Sequence, residues 1–203
     1  MNSIEKIART TFIRHFCEFF PAGRIFVVGG AVRDLLLGIE STDFDLVVEG
    51  VGVDELFMFL EKEGKVVDVE GRNFGVFKFN TRKIHEKENT KNHENLIFDI
   101  AVTRKEQYVP GARRKDAEVK LEEVSIEEDL ARRDFTINSM AIELMTKTKV
   151  PKQKESPKSN LQNQDFLDFR FHSLLALGSG LWVLIDPYHG KKDLKDRLIR
   201  AVG

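Results

Sequence analysis

The most restrictive feature of this chain is the segment Val27–Val48, which reads VVGGAVRDLLLGIESTDFDLVV. It predicts an apolar strand over Arg24–Val28, a short helix over Ala31–Leu37 that stops at Gly38, and a second strand over Phe44–Glu49. Between the first strand and the helix stands a glycine pair, which lets the backbone approach a ligand closely. Because a helix N-terminus also offers free N–H groups, this turn predicts a cradle for an anion.

Two carboxylates open the second strand, at Asp43 and Asp45, with only Phe44 between them. Side chains two apart on a strand point to the same face, and two carboxylates there repel each other unless something positive lies nearby. The usual solution is a divalent cation, and Mg²⁺ favours one or two carboxylates together with substrate phosphates. A lone Asp-x-Asp is usually a solvated turn, but beside the glycine pair it predicts metal-assisted phosphoryl or nucleotidyl transfer.

The remaining apolar patterns predict a fold of mixed strands and helices. Strand patterns recur at Lys65–Val69, Asn73–Asn80 and Leu96–Thr103, which brings the expected number of strands to about five. Apolar residues at helical spacing predict an amphipathic first helix from Ile4 to the turn near Pro21. We therefore expect an α+β fold, in which a mixed sheet carries its helices on one face.

Length and composition predict a single domain, residues 1–203, with polar insertions near 85–95 and 146–164. Residues 166–180 are apolar enough to be ordered and indicate no function. No apolar run approaches the roughly 20 residues of a membrane helix, and a single cysteine, Cys17, suits a cytoplasmic protein. The formal net charge of −1 predicts that basic groups for RNA are local or lie outside this chain.

The segment GGAVRDLLLG followed by DFDLVV is the first of four blocks along the chain. The others are FDIAVTR at Phe98–Arg104, EEDLARRDFTINSMAI at Glu127–Ile142 and IDPYHGKKDLKDRLIRAVG at Ile185–Gly203. In this order, the blocks closely resemble the catalytic head of the tRNA nucleotidyltransferase/poly(A) polymerase family, within the DNA polymerase beta-like nucleotidyltransferase superfamily. The resemblance implies the head-domain fold of that superfamily.

The same resemblance implies roles for individual residues. Asp43 and Asp45 match the ligands of the catalytic Mg²⁺ ions, and Asp99 matches a third acidic residue, with an edge-strand carboxylate facing water as the alternative. Nucleotide contacts are implied for Gly29, Gly30, Arg33, Asp34, Arg132, Arg133, Asp134 and Asn138. Arg33 could instead pair with Asp34, and the arginine pair could form a solvated ion pair of little energetic value.

The activity implied is the addition of CMP or AMP, from CTP or ATP, to the 3′ end of RNA, in particular tRNA. A poly(A) polymerase head is the alternative with the same chemistry. A non-catalytic nucleotide- or RNA-binding module is the alternative from another class, and the intact carboxylate pair argues against it. The neck that reads the base in this family has no match here, nor do the body and tail. We therefore expect a head domain that depends on a C-terminal region or a partner chain for base selection and tRNA binding.

Overall fold

The structure, a computed structural model, describes residues 3–68, 75–81, 96–107, 120–122, 124–144, 172–177 and 180–203. Its helices are α1 (Ser3–Ala8), α2 (Thr11–Phe19), α3 (Gly30–Leu36), α4 (Val53–Glu63), α5 (Ile126–Ala131) and α6 (Gly190–Asp196), with a 3₁₀ helix over Thr136–Asn138. Its strands are β1 (Arg24–Val28), β2 (Asp45–Glu49), β3 (Lys65–Asp68), β4 (Val76–Asn80), β5 (Ile97–Val102), β6 (Lys105–Gln107), β7 (Lys120–Glu122), β8 (Ala141–Glu143), β9 (His172–Leu177) and β10 (Gly180–Ile185). The expected insertions near 85–95 and 146–164 lie outside the described residues.

One mixed sheet organises the molecule. Its strands lie in the order β3-β4-β5-β2-β1-β8-β10-β9, and every adjacent pair is antiparallel except β2 and β5, which run parallel. Strands β6 and β7 form a separate antiparallel pair. The expected α+β fold with a mixed sheet is confirmed, but the main sheet has eight strands rather than about five.

Among the additional strands, β8 lies in the segment Phe135–Glu143, whose pattern predicts a helix turning into a strand, whereas β10 comes from a segment without an alternating pattern. In β10, Trp182 and Leu184 enter one hydrophobic core while Val183 and Ile185 enter the other. A strand that is buried on both faces reads as a continuous apolar run, so periodicity alone does not distinguish it from a buried helix. The hairpin of β9 and β10 was therefore missed, although residues 166–180 were expected to be ordered.

The main core lies between one face of the sheet and helices α1, α2, α3 and α4, as expected. Phe12 of α2 lies in this core, and its ring centroid is 4.9 Å from that of Phe79 and 6.0 Å from that of Phe98. Helix α5 covers the opposite face, so the sheet carries helices on both sides. The smaller core there consists of Phe26, Val28, Val47, Ile126, Leu130, Ala141, Val183 and Ile185.

The N-terminal helical region is two helices rather than one. The hydroxyl of Thr10 accepts a hydrogen bond from the Ile13 amide at 3.3 Å and donates one to the Ile7 carbonyl at 2.7 Å. A threonine at this position caps a new helix, which explains the break between α1 and α2. Among the helices within the described ranges, none is long and apolar enough to cross a membrane.

Candidate active site

The candidate carboxylates lie together because of strand register. Asp45 is the first residue of β2, and the parallel pairing of β2 with β5 sets it directly beside Asp99. The neighbours of Asp99 along β5, Phe98 and Ile100, are fully buried in the main core. Asp45 and Asp99 therefore share the opposite face of the sheet, which is the face that α5 packs against.

Asp43 extends this arrangement by one step before β2 begins. The carbonyl oxygen of Phe44 accepts a hydrogen bond from the Asp99 amide at 3.3 Å, so the pairing of β2 with β5 continues past the strand end. The Phe44 side chain is buried in the main core, whereas Asp43 and Asp45 on either side of it are exposed. The structure thus brings all three predicted carboxylates to one end of the β2–β5 strand pair.

The carboxylates repel each other at this end of the strand pair. Although Asp45 keeps contact with solvent, partial burial and the neighbouring Asp43 raise the pKa of its carboxyl above the usual value, and Asp99 adds to the increase. Arg133 and Lys78 oppose the increase without cancelling it. The local charge is therefore more negative than these cations compensate.

Lys78 is a site residue that the sequence analysis missed. It lies directly opposite Asp99 in the antiparallel pairing of β4 with β5. Its Nζ lies 3.3 Å from Oδ1 of Asp99, and both side chains are about half exposed. The available signal was the alternation of Phe77, Lys78 and Phe79, which turns the lysine away from the core, but its partner depends on a strand register that the sequence does not reveal.

Gly29 forms the floor of the site. Its φ of +70° lies in the region that favours glycine, and it precedes α3 directly. A Cβ at this position would lie 3.0 Å from Nη1 of Arg133 and 3.7 Å from Oδ2 of Asp45. The absent side chain therefore leaves room for the arginine and the carboxylate to approach the same stretch of backbone.

Arg133 lies on the wall of the site, two residues beyond the end of α5. Its side chain is 22% exposed, and Nη2 lies 3.8 Å from Oδ2 of the fully buried Asp129. Burial lowers the pKa of the guanidinium, Asp129 and Asp45 oppose this, and Arg132 reinforces it. Arg133 is thus a partly desolvated cation between two carboxylates, with one face directed to Gly29.

A second group of predicted residues lies at the start of α3. Arg33 donates to Oδ1 of Asp34 from Nε at 3.0 Å and from Nη2 at 2.8 Å, and it donates from Nη1 to Oδ1 of Asn138 at 2.8 Å. A Cβ on Gly30 would lie 3.6 Å from Nη2 of Arg33. The pairing of Arg33 with Asp34, which the sequence analysis gave as the alternative, is present, and the hydrogen bond from Arg33 to Asn138 joins the first motif to the second.

Two predicted nucleotide contacts point elsewhere. Arg132 donates from Nε and Nη2 to Oδ1 of Asp129, at 3.1 Å and 2.9 Å. Asp134 is exposed, and its carbonyl oxygen accepts from the Val202 amide at 3.1 Å. The structure therefore separates the arginine pair, with Arg132 directed to a buried carboxylate and Arg133 directed to the site.

The donor set fits a divalent cation. Carboxylate oxygens are the ligands that hard cations prefer, and the raised pKa of Asp45 indicates a place where positive charge is lacking. Among the described residues, no three His, Cys, Asp or Glu side chains lie close enough together to hold a metal ion as they stand. Binding would have to draw Asp43, Asp45 and Asp99 inward.

Comparison with known proteins identifies the same region. Residues 25–155, more than half of the chain, match the family described as the Poly A polymerase head domain. The A-adding tRNA nucleotidyltransferase of Aquifex aeolicus is 32% identical over 88% of this chain and 16% of its own length. The multifunctional CCA protein of Polaromonas naphthalenivorans is 32% identical over 88% of this chain and 32% of its own length.

Solved structures show a similar fold. A CCA-adding enzyme in complex with ATP is 29% identical with a TM-score of 0.55, and the match covers 98% of this chain and 34% of that one. The Thermotoga maritima CCA-adding enzyme complexed with tRNA is 27% identical with a TM-score of 0.52, covering 98% of this chain and 36% of that one. The present chain thus spans about a third or less of the proteins that it matches.

Proposed function

This chain belongs to the Poly A polymerase head domain family, and from that membership we propose that residues 1–203 are the catalytic head of an RNA nucleotidyltransferase. The proposed reaction transfers CMP or AMP from CTP or ATP to the 3′ end of tRNA. The names of the curated relatives support tRNA as the acceptor. Solved relatives in complex with ATP, CTP and tRNA support the choice of substrates.

One observation carries the proposal: a carboxylate and an arginine converge on a glycine at a strand end. A Cβ on Gly29 would lie 3.0 Å from Arg133 Nη1 and 3.7 Å from Asp45 Oδ2. Asp99 lies beside Asp45 in the sheet register. A nucleoside triphosphate has both complements, since its phosphates suit the arginine and backbone and its bound cation suits the carboxylates.

In the proposed reaction, the RNA 3′-hydroxyl oxygen bonds to the α-phosphorus while the bond to the bridging oxygen breaks and pyrophosphate leaves. Arg133 binds the triphosphate and orients it, and its desolvation strengthens that contact. Gly29 lets the phosphates approach the backbone, where a Cβ would lie 3.0 Å from Arg133 Nη1 and would push it aside slightly. Arg33, held by Asp34 and Asn138, supports the same end of the nucleotide.

Enzymes of this family generally use a divalent metal ion, and we assign its ligands to Asp43, Asp45 and Asp99, with Mg²⁺ as the metal. Mg²⁺ held there would neutralise charge on the attacking oxygen and on the leaving pyrophosphate. We also propose a cytoplasmic location, which agrees with tRNA as the substrate and with a single cysteine in 203 residues.

The test is to replace each carboxylate by its amide. Asp43→Asn and Asp45→Asn should each reduce transfer of labelled CMP or AMP to tRNA by at least about a hundredfold, because each removes charge from the cation site. Asp196→Asn, on the exposed face of α6, is the matched control and should retain full transfer. Normal transfer by both site variants would refute the carboxylate assignment.

The family description favours one alternative acceptor, since it names poly(A) polymerase. The same assay distinguishes the two activities if it includes an unrelated single-stranded RNA beside tRNA. Addition of at most three nucleotides, to tRNA alone, would support tRNA 3′-end synthesis or repair. Long runs of AMP on either RNA would support polyadenylation instead.

A further inference from the structure

We propose that Asp129 is a positioning residue, which holds Arg133 in the direction of the bound triphosphate. This inference rests on the proposed function, because it concerns the same nucleotide site. Asp129 lies on α5, its side chain is 0% exposed, and Oδ2 faces Nη2 of Arg133 at 3.8 Å. Of the two acidic residues described near that arginine, Asp129 is the buried one and Asp45 is exposed.

The two oxygens of Asp129 have separate partners. Oδ1 accepts from Nε and Nη2 of Arg132 at 3.1 Å and 2.9 Å, and from the Arg104 amide at 3.4 Å. Oδ2 is buried and has no hydrogen-bond partner in the structure. Oδ2 lies 3.8 Å from Nη2 of Arg133, whose Nε is likewise buried without a hydrogen bond. The pairing with Arg133 is thus longer than a hydrogen bond and is electrostatic.

This incomplete pairing suits an arginine that must bind something else. A buried guanidinium that used two of its N–H donors on Asp129 would have fewer of them left for a ligand. A buried guanidinium without a nearby carboxylate would instead pay the full cost of desolvation and turn toward solvent. Asp129 opposes the decrease that burial causes in the pKa of Arg133. The arginine therefore stays charged and in place while Nη1 faces Gly29.

Asp129 is itself fixed by the surrounding backbone. Helix α5 begins with a capping box, in which Ser125 and Glu128 satisfy each other's backbone amides. Its first amide, from Ile126, donates to Oε2 of Glu49 on β2 at 2.6 Å. Because these hydrogen bonds fix α5 relative to β2, Asp129 is held in a defined position next to Arg133.

The experiment measures binding of Mg²⁺-tripolyphosphate, a probe without a base, to the 203-residue chain. Arg133→Met should weaken binding by about ten- to a hundredfold, the usual value of a charge-assisted contact. Asp129→Asn preserves shape and removes charge, and it should weaken binding by roughly tenfold. The double variant should match Arg133→Met within about twofold, since Asp129 acts only through that arginine.

Asp193→Asn is the matched control. Asp193 is also buried and also bound to an arginine, through Arg200 Nη2 at 3.1 Å, but it contacts no candidate site residue by any described bond. It should lower the melting temperature yet leave tripolyphosphate affinity within about twofold of the parent. Losses that multiply in the Asp129→Asn/Arg133→Met double variant, or an equal loss in Asp193→Asn, would overturn the positioning role.

A second measurement does not require ligand. The ¹⁵N order parameter of Arg133 Nε, assigned by its absence in Arg133→Met, should fall from about 0.85 to below about 0.6 in Asp129→Asn. An unchanged order parameter would refute the inference even if tripolyphosphate binds. If the parent chain binds no tripolyphosphate, the proposed function fails, and the order parameter still decides the role of Asp129.

Asp129→Asn could fail to fold, because it leaves two arginines without their carboxylate. Asp129→Glu then serves in its place, since it keeps the charge and moves it by one methylene. Its melting temperature should stay close to that of the parent, and its tripolyphosphate binding should still be severalfold weaker. Parent-like affinity in Asp129→Glu would show that the position of this carboxylate does not matter, which would overturn the proposal.

Discussion

Two charged clusters occupy opposite ends of the same strand pair, and only one of them is balanced. At one end of β1 and β2, Arg24 faces Glu49, and at the other end Val28 faces Asp45. Both clusters lie on the face that α5 covers, and α5 runs between them. Because strand pair, face and neighbouring helix are shared, the clusters differ chiefly in how their charges are paired.

The charged groups of the Arg24 cluster are all hydrogen-bonded within the chain. Arg24 donates to Glu49 at 2.9 Å and to both oxygens of Glu143 at 3.1 Å and 2.9 Å, while the second oxygen of Glu49 accepts from the Ile126 amide at 2.6 Å. Burial alone would lower the pKa of the Arg24 guanidinium, but the two glutamates raise it above its usual value. Every carboxylate oxygen in this cluster therefore has a partner within the chain.

The Asp45 cluster leaves its carboxylates incompletely neutralised. Partial burial, Asp43 and Asp99 all raise the pKa of Asp45, and Arg133 and Lys78 only partly compensate. Like-charge clusters of this kind destabilise a fold unless a ligand supplies the missing charge. We infer that the first cluster stabilises the fold and that the second is suited to bind a cation and a polyanion.

The largest expected effect on stability belongs to the balanced cluster. Arg24→Met leaves Glu49 and Glu143 partly buried without their cation and should lower the free energy of unfolding by about 3 kcal/mol. Urea denaturation measures this change. Lys192→Met, which removes an exposed ion pair with Asp196 on α6, is the control and should shift the transition only slightly. A loss of less than about 1 kcal/mol in Arg24→Met would contradict the contrast drawn here.

A matched pair of glycines separates backbone strain from site geometry. Gly29 and Gly38 have φ of +70° and +72°, so alanine should cost about 1–2 kcal/mol of unfolding free energy at either position. A Cβ meets Arg133 and Asp45 at Gly29, but it meets nothing within 4 Å at Gly38. Gly29→Ala alone should therefore weaken Mg²⁺-ATP binding, by about tenfold or more. Equal affinities in the two variants would exclude Gly29 from the nucleotide site.

The contrast between the clusters also explains what the sequence could predict. Gly29, Asp43 and Asp45 were singled out because their pattern is local, and that inference needs only the period of a strand and the properties of the residues themselves. Asp99 was singled out because the segment Phe98–Arg104 resembles a block of the family. Its alternation with buried Phe98 and Ile100 agrees with a side chain directed away from the core. The local geometry of the site was accordingly predictable.

The partners of these residues were not predictable in the same way. Lys78 meets Asp99 through the register of β4 and β5, and that register is set by long-range packing. Asp129 was read as part of a motif, and its burial against Arg132 and Arg133 emerges only when α5 docks on the sheet. Eight strands replaced five for a related reason, since β10 is buried on both faces and so lacks alternation.

A smaller effect, with an inverted sign, is expected at Asp45. The pKa of Asp45 is higher in the folded chain than in the unfolded chain, so its ionisation lowers the free energy of unfolding. This decrease begins as pH rises above the unfolded pKa and is complete above the folded pKa. Without metal, Asp45→Asn should hold or raise the melting temperature at pH 7, and the advantage should vanish as pH falls below the pKa of Asp45. Thermal unfolding in EDTA from pH 4 to 8 measures this dependence.

Asp196→Asn provides the opposite sign in the same experiment. A hydrogen bond from Lys192 lowers the pKa of Asp196, so its charge stabilises the fold above the unfolded pKa, and this is lost as pH falls through the folded pKa. The amide should thus lower the melting temperature slightly at neutral pH. If Asp45→Asn behaved like Asp196→Asn, the second cluster would be balanced after all.

The smallest expected change in stability, and the most direct measure of the charge deficit, is that of Lys78→Met. Its ammonium and the Asp99 carboxylate are about half exposed, so their pairing should contribute no more than about 0.5 kcal/mol to folding. Removing this cation from beside the carboxylates should strengthen divalent cation binding by roughly threefold to tenfold. Titration with Mn²⁺ at pH 8 and low ionic strength measures this change. Lys62→Met, on α4 against Phe19, removes the same charge away from the site and should leave Mn²⁺ affinity unchanged. Weaker Mn²⁺ binding in Lys78→Met would mean that Lys78 helps to form the cation site rather than compete for it.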